Sequence, residues 1–103
     1  MMRIEAVLAL LGDLQPPELI SWVERGWVQP DADGTLWEFR EIDVARVRLI
    51  RELRHDMALS EDAMPVVLSL LDQVYDLRGA LKRLGGALEA QPPEVRAAVL
   101  SAL

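Results

Sequence analysis

Gly26 divides the stretch that most constrains this chain. Residues 18–39, ELISWVERGWVQPDADGTLWEF, put an amphipathic segment before that glycine and a turn-linked pair of short extended segments after it. Leu19, Trp22 and Val23 share one helical face, Pro17 stands in the first turn, and Glu18 lies near the positive end of the helix dipole. Gly26 is the expected stop. Beyond it, Trp27-Val28 and Thr35–Phe39 flank the cluster Asp31-Ala32-Asp33-Gly34. Aspartate and glycine tolerate the positive φ that a tight hairpin needs, so two short strands are predicted on either side of the turn.

Upstream, Ile4, Val7, Leu8 and Leu11 predict a first helix stopped by Gly12. Downstream, Ile42, Ala45, Leu49, Ile50 and Leu53 give a third helix with a core-facing stripe, and Arg48, Arg51 and Arg54 stand off that stripe. Asp43–Arg46 and Arg48–Glu52 have the spacing of weak exposed ion pairs. Ser60 suits the N-cap of a fourth helix, with Glu61 and Asp62 in its first turn, and Pro65 marks a later start or a bend. Val67, Leu70, Val74, Leu77, Leu81, Leu84 and Leu88 then alternate in steps of three and four. This is a heptad seam, expected to pair two copies of the chain as a homodimer. Gly85-Gly86 is the expected end of that helix, and a short last helix follows from Pro92 to Leu103 with Val95, Val99 and Leu103 on one face. The pattern divides into an N-terminal module, residues 1–58, and a C-terminal helical segment, residues 59–103, within one compact domain.

Composition narrows the function. The chain has 103 residues, 51% of them hydrophobic, with 17 acidic against 11 basic residues and a net charge of −6. That balance opposes nucleic acid and anionic membranes and favours basic partners. Absence of cysteine excludes disulfides, thiolate metal sites and thiol nucleophiles, and a single histidine, His55, leaves little for acid–base chemistry. No signal peptide or run of about 20 apolar residues is seen, so a cytoplasmic location is expected. No nucleophile stands beside a base, no glycine loop suits a phosphate, and Asp31 with Asp33 are too few ligands for Ca²⁺ or Mg²⁺. The expectation is a protein without cofactor or catalytic activity.

The candidate binding residues lie on the helix and hairpin around Gly26. Of Trp22, Trp27 and Trp37, at least two are expected to fill the core, and Trp37 is the candidate exposed anchor. Glu18, Glu24, Asp31, Asp33 and Glu38 form the candidate acidic surface. Arg46, Arg48, Arg51 and Arg54 are the one basic concentration, interrupted by acids and expected to be ion-paired.

Taken in order, these elements resemble the MerR-type winged helix-turn-helix followed by a dimerisation helix. The resemblance covers residues 3–84. It is carried by Leu19 and Trp22, Glu24-Arg25-Gly26 with Trp27-Val28 and Pro30, then Phe39, Glu41-Ile42-Asp43, Leu49 to Arg54, and Leu59-Ser60. DNA-reading members have an Arg-Tyr pair in the second helix and an arginine in the wing, where this chain has Ile20, Ser21 and Trp37. Residues 1–40 hold three arginines against seven carboxylates, too few phosphate neutralisers for a duplex-binding face. In size, acidic wing and the tryptophan before Glu38-Phe39, the chain is similar to the chaperone modulator CbpM family. That resemblance implies a mainly α fold with a two-stranded wing, and binding to the J-domain of a CbpA-like co-chaperone so that its contact with DnaK is inhibited. The alternative is a MerR-type DNA-binding transcriptional regulator.

Overall fold

The computed structural model describes all 103 residues, which form two compact units, Met1–Pro65 and Val66–Leu103. The division falls after Pro65, whereas the sequence pattern divides after Ala58. The intervening turn is tied back into the first unit, because Glu61 accepts from Arg25 at 3.0 Å and Met64 is fully buried.

The first unit begins with α1 (Ile4–Leu10) and α2 (Pro16–Glu24). Gly12 has no positive φ, so α1 ends through Leu11 and not through a left-handed glycine. Leu14 closes that turn, donating its N–H to the Leu11 carbonyl at 2.9 Å, and is itself buried. Gly26 acts as expected. With φ +76 it allows Trp27 N–H to reach the Trp22 carbonyl at 3.0 Å and its own N–H to reach Val23 at 3.0 Å. These bonds make a Schellman stop, in which the residue beyond the glycine and the residue one turn back are commonly apolar partners. Both are tryptophans here, and both are buried.

The same bond corrects the wing. Trp27 and Val28 are core residues outside the sheet, and the two antiparallel strands are β1 (Asp31–Asp33) and β2 (Leu36–Glu38). Asp31 faces Glu38, Ala32 faces Trp37 and Asp33 faces Leu36, leaving the two-residue loop Gly34-Thr35. Positive φ at Gly34 (+65) but not at Thr35 matches the type II′ hairpin. Beyond β2, Phe39 exchanges two backbone hydrogen bonds with Met2, at 2.8 and 2.7 Å, which fixes the N-terminal residues beside the wing.

Helix α3 (Glu41–Arg51) turns a different face to the core from the one predicted. Asp43, Val47, Ile50 and Leu53 are buried, while Ile42 is 54% exposed and Ala45 is also exposed. The rotation follows from the helix start. Asp43, at the third helical position, accepts from the Arg40 backbone N–H and Nε, both at 2.9 Å, and from Arg40 Nη2 at 3.1 Å. A guanidinium has no acceptor, so this is the carboxylate half of a capping box. α3 continues as a wider π-helical turn over Glu52–Asp56, where Met57 N–H bonds the Glu52 carbonyl at 2.9 Å. Leu59 N–H returns to Leu53 at 2.9 Å, and Ala58 between them has φ +54. Arg54 Nη1 donates to the Leu59 carbonyl and ties the loop.

The long helix α4 (Met64–Glu89) opens after a turn in which Ser60 Oγ accepts from Ala63 N–H at 3.2 Å. Pro65 is its second residue, where a missing N–H leaves no helical bond unmade. α4 runs straight through Gly85-Gly86, correcting the expected end, because neither glycine takes a positive φ. In the second unit Leu68 is buried, and Leu70, Val74, Leu77, Leu81 and Leu84 are between 44% and 68% exposed. α5 (Pro93–Ser101) buries nothing. No helix is long and apolar enough to cross a membrane.

A non-glycine residue in the left-handed region carries roughly 1–2 kcal/mol of strain, partly offset by the greater freedom glycine has in the unfolded chain. Ala58→Gly should therefore stabilise the fold by about 0.5–1 kcal/mol, measured as a raised urea midpoint at unchanged slope.

Candidate interaction surface

Helix α2 presents Pro17, Ile20, Ser21 and Glu24 opposite its buried Leu19 and Trp22, since these positions fall within roughly 100° of arc at 100° per residue. This is the face a helix-turn-helix offers outward, and it holds one carboxylate and no cation. Arg25 does not serve it. Its guanidinium lies 5.2 Å from the Trp27 ring centroid, bonds Ser21 Oγ at 3.3 Å and reaches Glu61. Glu18 points the other way, toward the π-helical turn, where its Oε1 meets His55 Nε2 and the imidazole stands edge-on to Trp22 at 6.3 Å.

The wing holds Asp31, Asp33, Trp37 and Glu38, and its cross-strand register puts Asp31, Asp33 and Glu38 on one face of the hairpin and Trp37, opposite Ala32, on the other. Trp37 is half-buried; Trp22 and Trp27 are the two that enter the core. The wing carboxylates are not an open anionic edge. Arg3 bridges Asp33 at 3.4 Å and Glu38 at 3.3 Å, and Arg40 lies 4.0 Å from Asp31. Of the six candidate partner residues, Glu24 is the acid that remains unpaired.

Three of the other four arginines of this unit are also held. Arg46 donates to the Trp27 carbonyl, Arg54 reaches Glu61 at 3.8 Å, and Arg51 grips Asp13 through two bonds of 2.7 and 2.5 Å. Arg48 makes neither an ion pair nor a side-chain hydrogen bond, so the predicted Arg48–Glu52 pair is absent. Residues 1–65 contain thirteen carboxylates against seven arginines, whereas residues 66–103 contain four of each sign. The net charge therefore resides in the first unit.

The family model described as MerR HTH family regulatory protein matches residues 4–85, four fifths of the chain. The chain belongs to the MerR helix-turn-helix family. The matched span contains both helices before the wing, the wing, α3 and most of α4, and it stops before α5. Neither a curated protein nor a solved structure significantly matches the chain.

Within this MerR-type module, the predicted seam residues Val67, Leu70, Val74, Leu77, Leu81 and Leu84 recur along α4, Val67 half-buried and the others exposed. Sequence reasoning missed the Arg40–Asp43 clasp and the pairing of Met2 with Phe39. The clasp had a signal, an acid three residues after a helix-starting position; the bridge had none, because one residue pair leaves no periodic pattern.

Asp13 joins the turn after α1 to α3 through Arg51. The hydrogen bonds from that guanidinium hold its carboxyl below the ordinary carboxylate value, against a smaller upward push from burial. A lowered folded-state pKa stabilises the fold above the unfolded value, near 3.9, and the contribution disappears as pH falls through the folded value. Asp13→Asn should lower stability at neutral pH, and its difference from the parent should shrink in urea titrations repeated from pH 5 down to pH 2.

Proposed function

We propose that this MerR-family protein is a non-enzymatic chaperone modulator that binds the J-domain of a CbpA-like co-chaperone and blocks its productive contact with DnaK. The observation that carries this reading is the engagement of six of the seven arginines of the winged unit by its own carboxylates and carbonyls. A duplex would have to break those contacts to gain phosphate neutralisation. A basic protein helix instead meets a unit of net negative charge, with Glu24 unpaired on the outward face of α2 and Trp37 half-buried on the wing. Charge of this kind raises the association rate and fixes register more than it adds affinity.

Family membership alone is equally compatible with a DNA-binding regulator, the second reading. Under it, Arg25, Arg40 and the Arg46–Arg54 face would contact the backbone. A cytoplasmic homodimer joined through α4 suits either function. The exposed seam Leu70–Leu84 supports self-association, because a helix with an apolar stripe gains its stability from burying that stripe. The equal number of acids and bases in the second unit adds no net repulsion between copies.

Calorimetric titration against a J-domain should give binding that weakens between 50 and 300 mM salt, roughly the range over which the Debye length shortens from about 14 to 6 Å. No heat at tens of micromolar, combined with a gel shift of the flanking genomic DNA, would reverse the order of the two readings. Glu24→Arg should slow association with the J-domain several-fold at low salt while leaving the fold intact, as Glu24 has no intramolecular partner. Leu77→Glu with Leu81→Glu should shift sedimentation from dimer to monomer; an unaltered dimer would place the interface elsewhere.

A further inference from the structure

Half of this chain's six glycines lie inside one helix. Gly79, Gly85 and Gly86 all stand in α4, and none of them takes the positive φ that Gly26 and Gly34 do. Space within the chain does not call for them either: a Cβ would meet nothing within 4 Å at Gly85 or Gly86, and at Gly79 only the flexible end of Arg83 at 3.3 Å. What remains is their effect on the helix. In a helix interior each glycine lowers the equilibrium constant for the helical state roughly fivefold relative to alanine.

The helix has little to set against that loss within its own chain. Leu68 is buried, but no residue from Ser69 to Leu103 is, and α5 adds no cover. An amphipathic helix in water draws most of its stability from burying its apolar stripe, and the stripe Leu70, Val74, Leu77, Leu81 and Leu84 is open. Steps of three and four over that length fit a second helix of the same kind, and four charges of each sign in this unit let two copies approach without net repulsion. Gly79 and Gly86, seven residues apart, fall on the side of α4 opposite the seam at about 100° per residue, so they weaken the helix without entering the contact.

We propose that folding of the second unit is coupled to pairing: α4 beyond Leu68 becomes a stable helix when two copies of the chain meet along the seam, and Gly79, Gly85 and Gly86 keep the unpaired segment below independent stability. The inference rests on the homodimer joined through α4 and adds to it a dependence on concentration. The winged unit, with its own buried core of Leu19, Trp22, Phe39 and Ile50, keeps its fold whether or not the second unit is paired.

The test follows the full chain on serial dilution. Sedimentation reports association, far-ultraviolet circular dichroism the helix, and fluorescence the winged unit, which holds all three tryptophans. Helix signal should fall as the dimer dissociates while the fluorescence stays constant. Leu77→Glu with Leu81→Glu should give a monomer that lacks the helix signal of residues 69–101 at every concentration, although glutamate forms helix about as well as leucine. Gly79→Ala with Gly86→Ala should tighten the dimer on the order of 100-fold, because two alanines in each of two chains favour a helix that forms only on pairing. If the unpaired α4 were already helical, the same alanines would stabilise monomer and dimer alike, so an unchanged or weakened dimer would overturn the coupling. A monomeric Leu77→Glu, Leu81→Glu chain with the parent's full helix signal would also overturn it, and would leave the homodimer standing. A parent chain that stays monomeric at every concentration would overturn the homodimer reading and, with it, the second copy as the occupant of the seam.

Discussion

The stop at Gly26 governs the geometry of the winged unit. Its left-handed backbone returns Trp27 N–H to the Trp22 carbonyl, and so ends α2 after Glu24. An L-residue at φ +76 would be strained, and it is from this conformation that the chain leads on to Trp27, buried as Trp22 is. The chain leaves the stop through Val28, also fully buried, and only then becomes free to pair as a hairpin. Arg46 on α3 bonds the Trp27 carbonyl, and Arg25 covers the Trp27 ring. A single backbone conformation thus sets where α2 ends, where the wing begins and what α3 packs against.

This stop also explains which parts of the fold were legible in sequence. Helical periodicity and the glycine at 26 were enough to recover α2 and the wing that follows. The first strand was misplaced because Trp27 and Val28 are strong strand formers, whereas the residues that pair, Asp31-Ala32-Asp33, are poor ones. Burial and the Schellman bond decide against propensity there. On α3 the apolar residues fit two stripes, and Ile42 with Ala45 gave the wrong one; the Asp43 clasp with Arg40 and the burial of Val47 select the other. Ala58 could not be recognised as a left-handed residue, since nothing in alanine requests that conformation. Gly85-Gly86 looked like a stop but lowers helix propensity without ending the helix.

The candidate surface was legible in composition and less so in arrangement. The sequence placed the acids on α2 and the wing, and the structure keeps Asp31, Asp33 and Glu38 on one face of the wing, with Trp37 on the other. It could not anticipate that Arg3, remote in sequence from the wing, would lie between Asp33 and Glu38, or that Glu18 would turn to His55. Both depend on tertiary placement: the first on the Met2–Phe39 bridge that brings Arg3 beside the wing, the second on the π-helical turn that carries His55.

Those pairs alter the field of the unit more than its stability. Exposed ion pairs contribute little to folding and are screened by salt, so their number is a poor account of why the unit is stable. Their consequence is spatial. Arg3, Arg25, Arg40, Arg51 and Arg54 are each locally neutralised by a carboxylate within 4 Å, and the excess of six carboxylates over arginines in residues 1–65 remains for the surroundings to meet. Phosphate binding needs cations free to release the counterions of the duplex. A basic protein surface needs no such rearrangement: it meets the unpaired acids directly and leaves the internal pairs in place. Under the proposed function the same winged outline would retain the packing of a DNA reader while favouring the opposite sign of partner, because the core depends on Gly26 and the tryptophans and the field depends on the arginines.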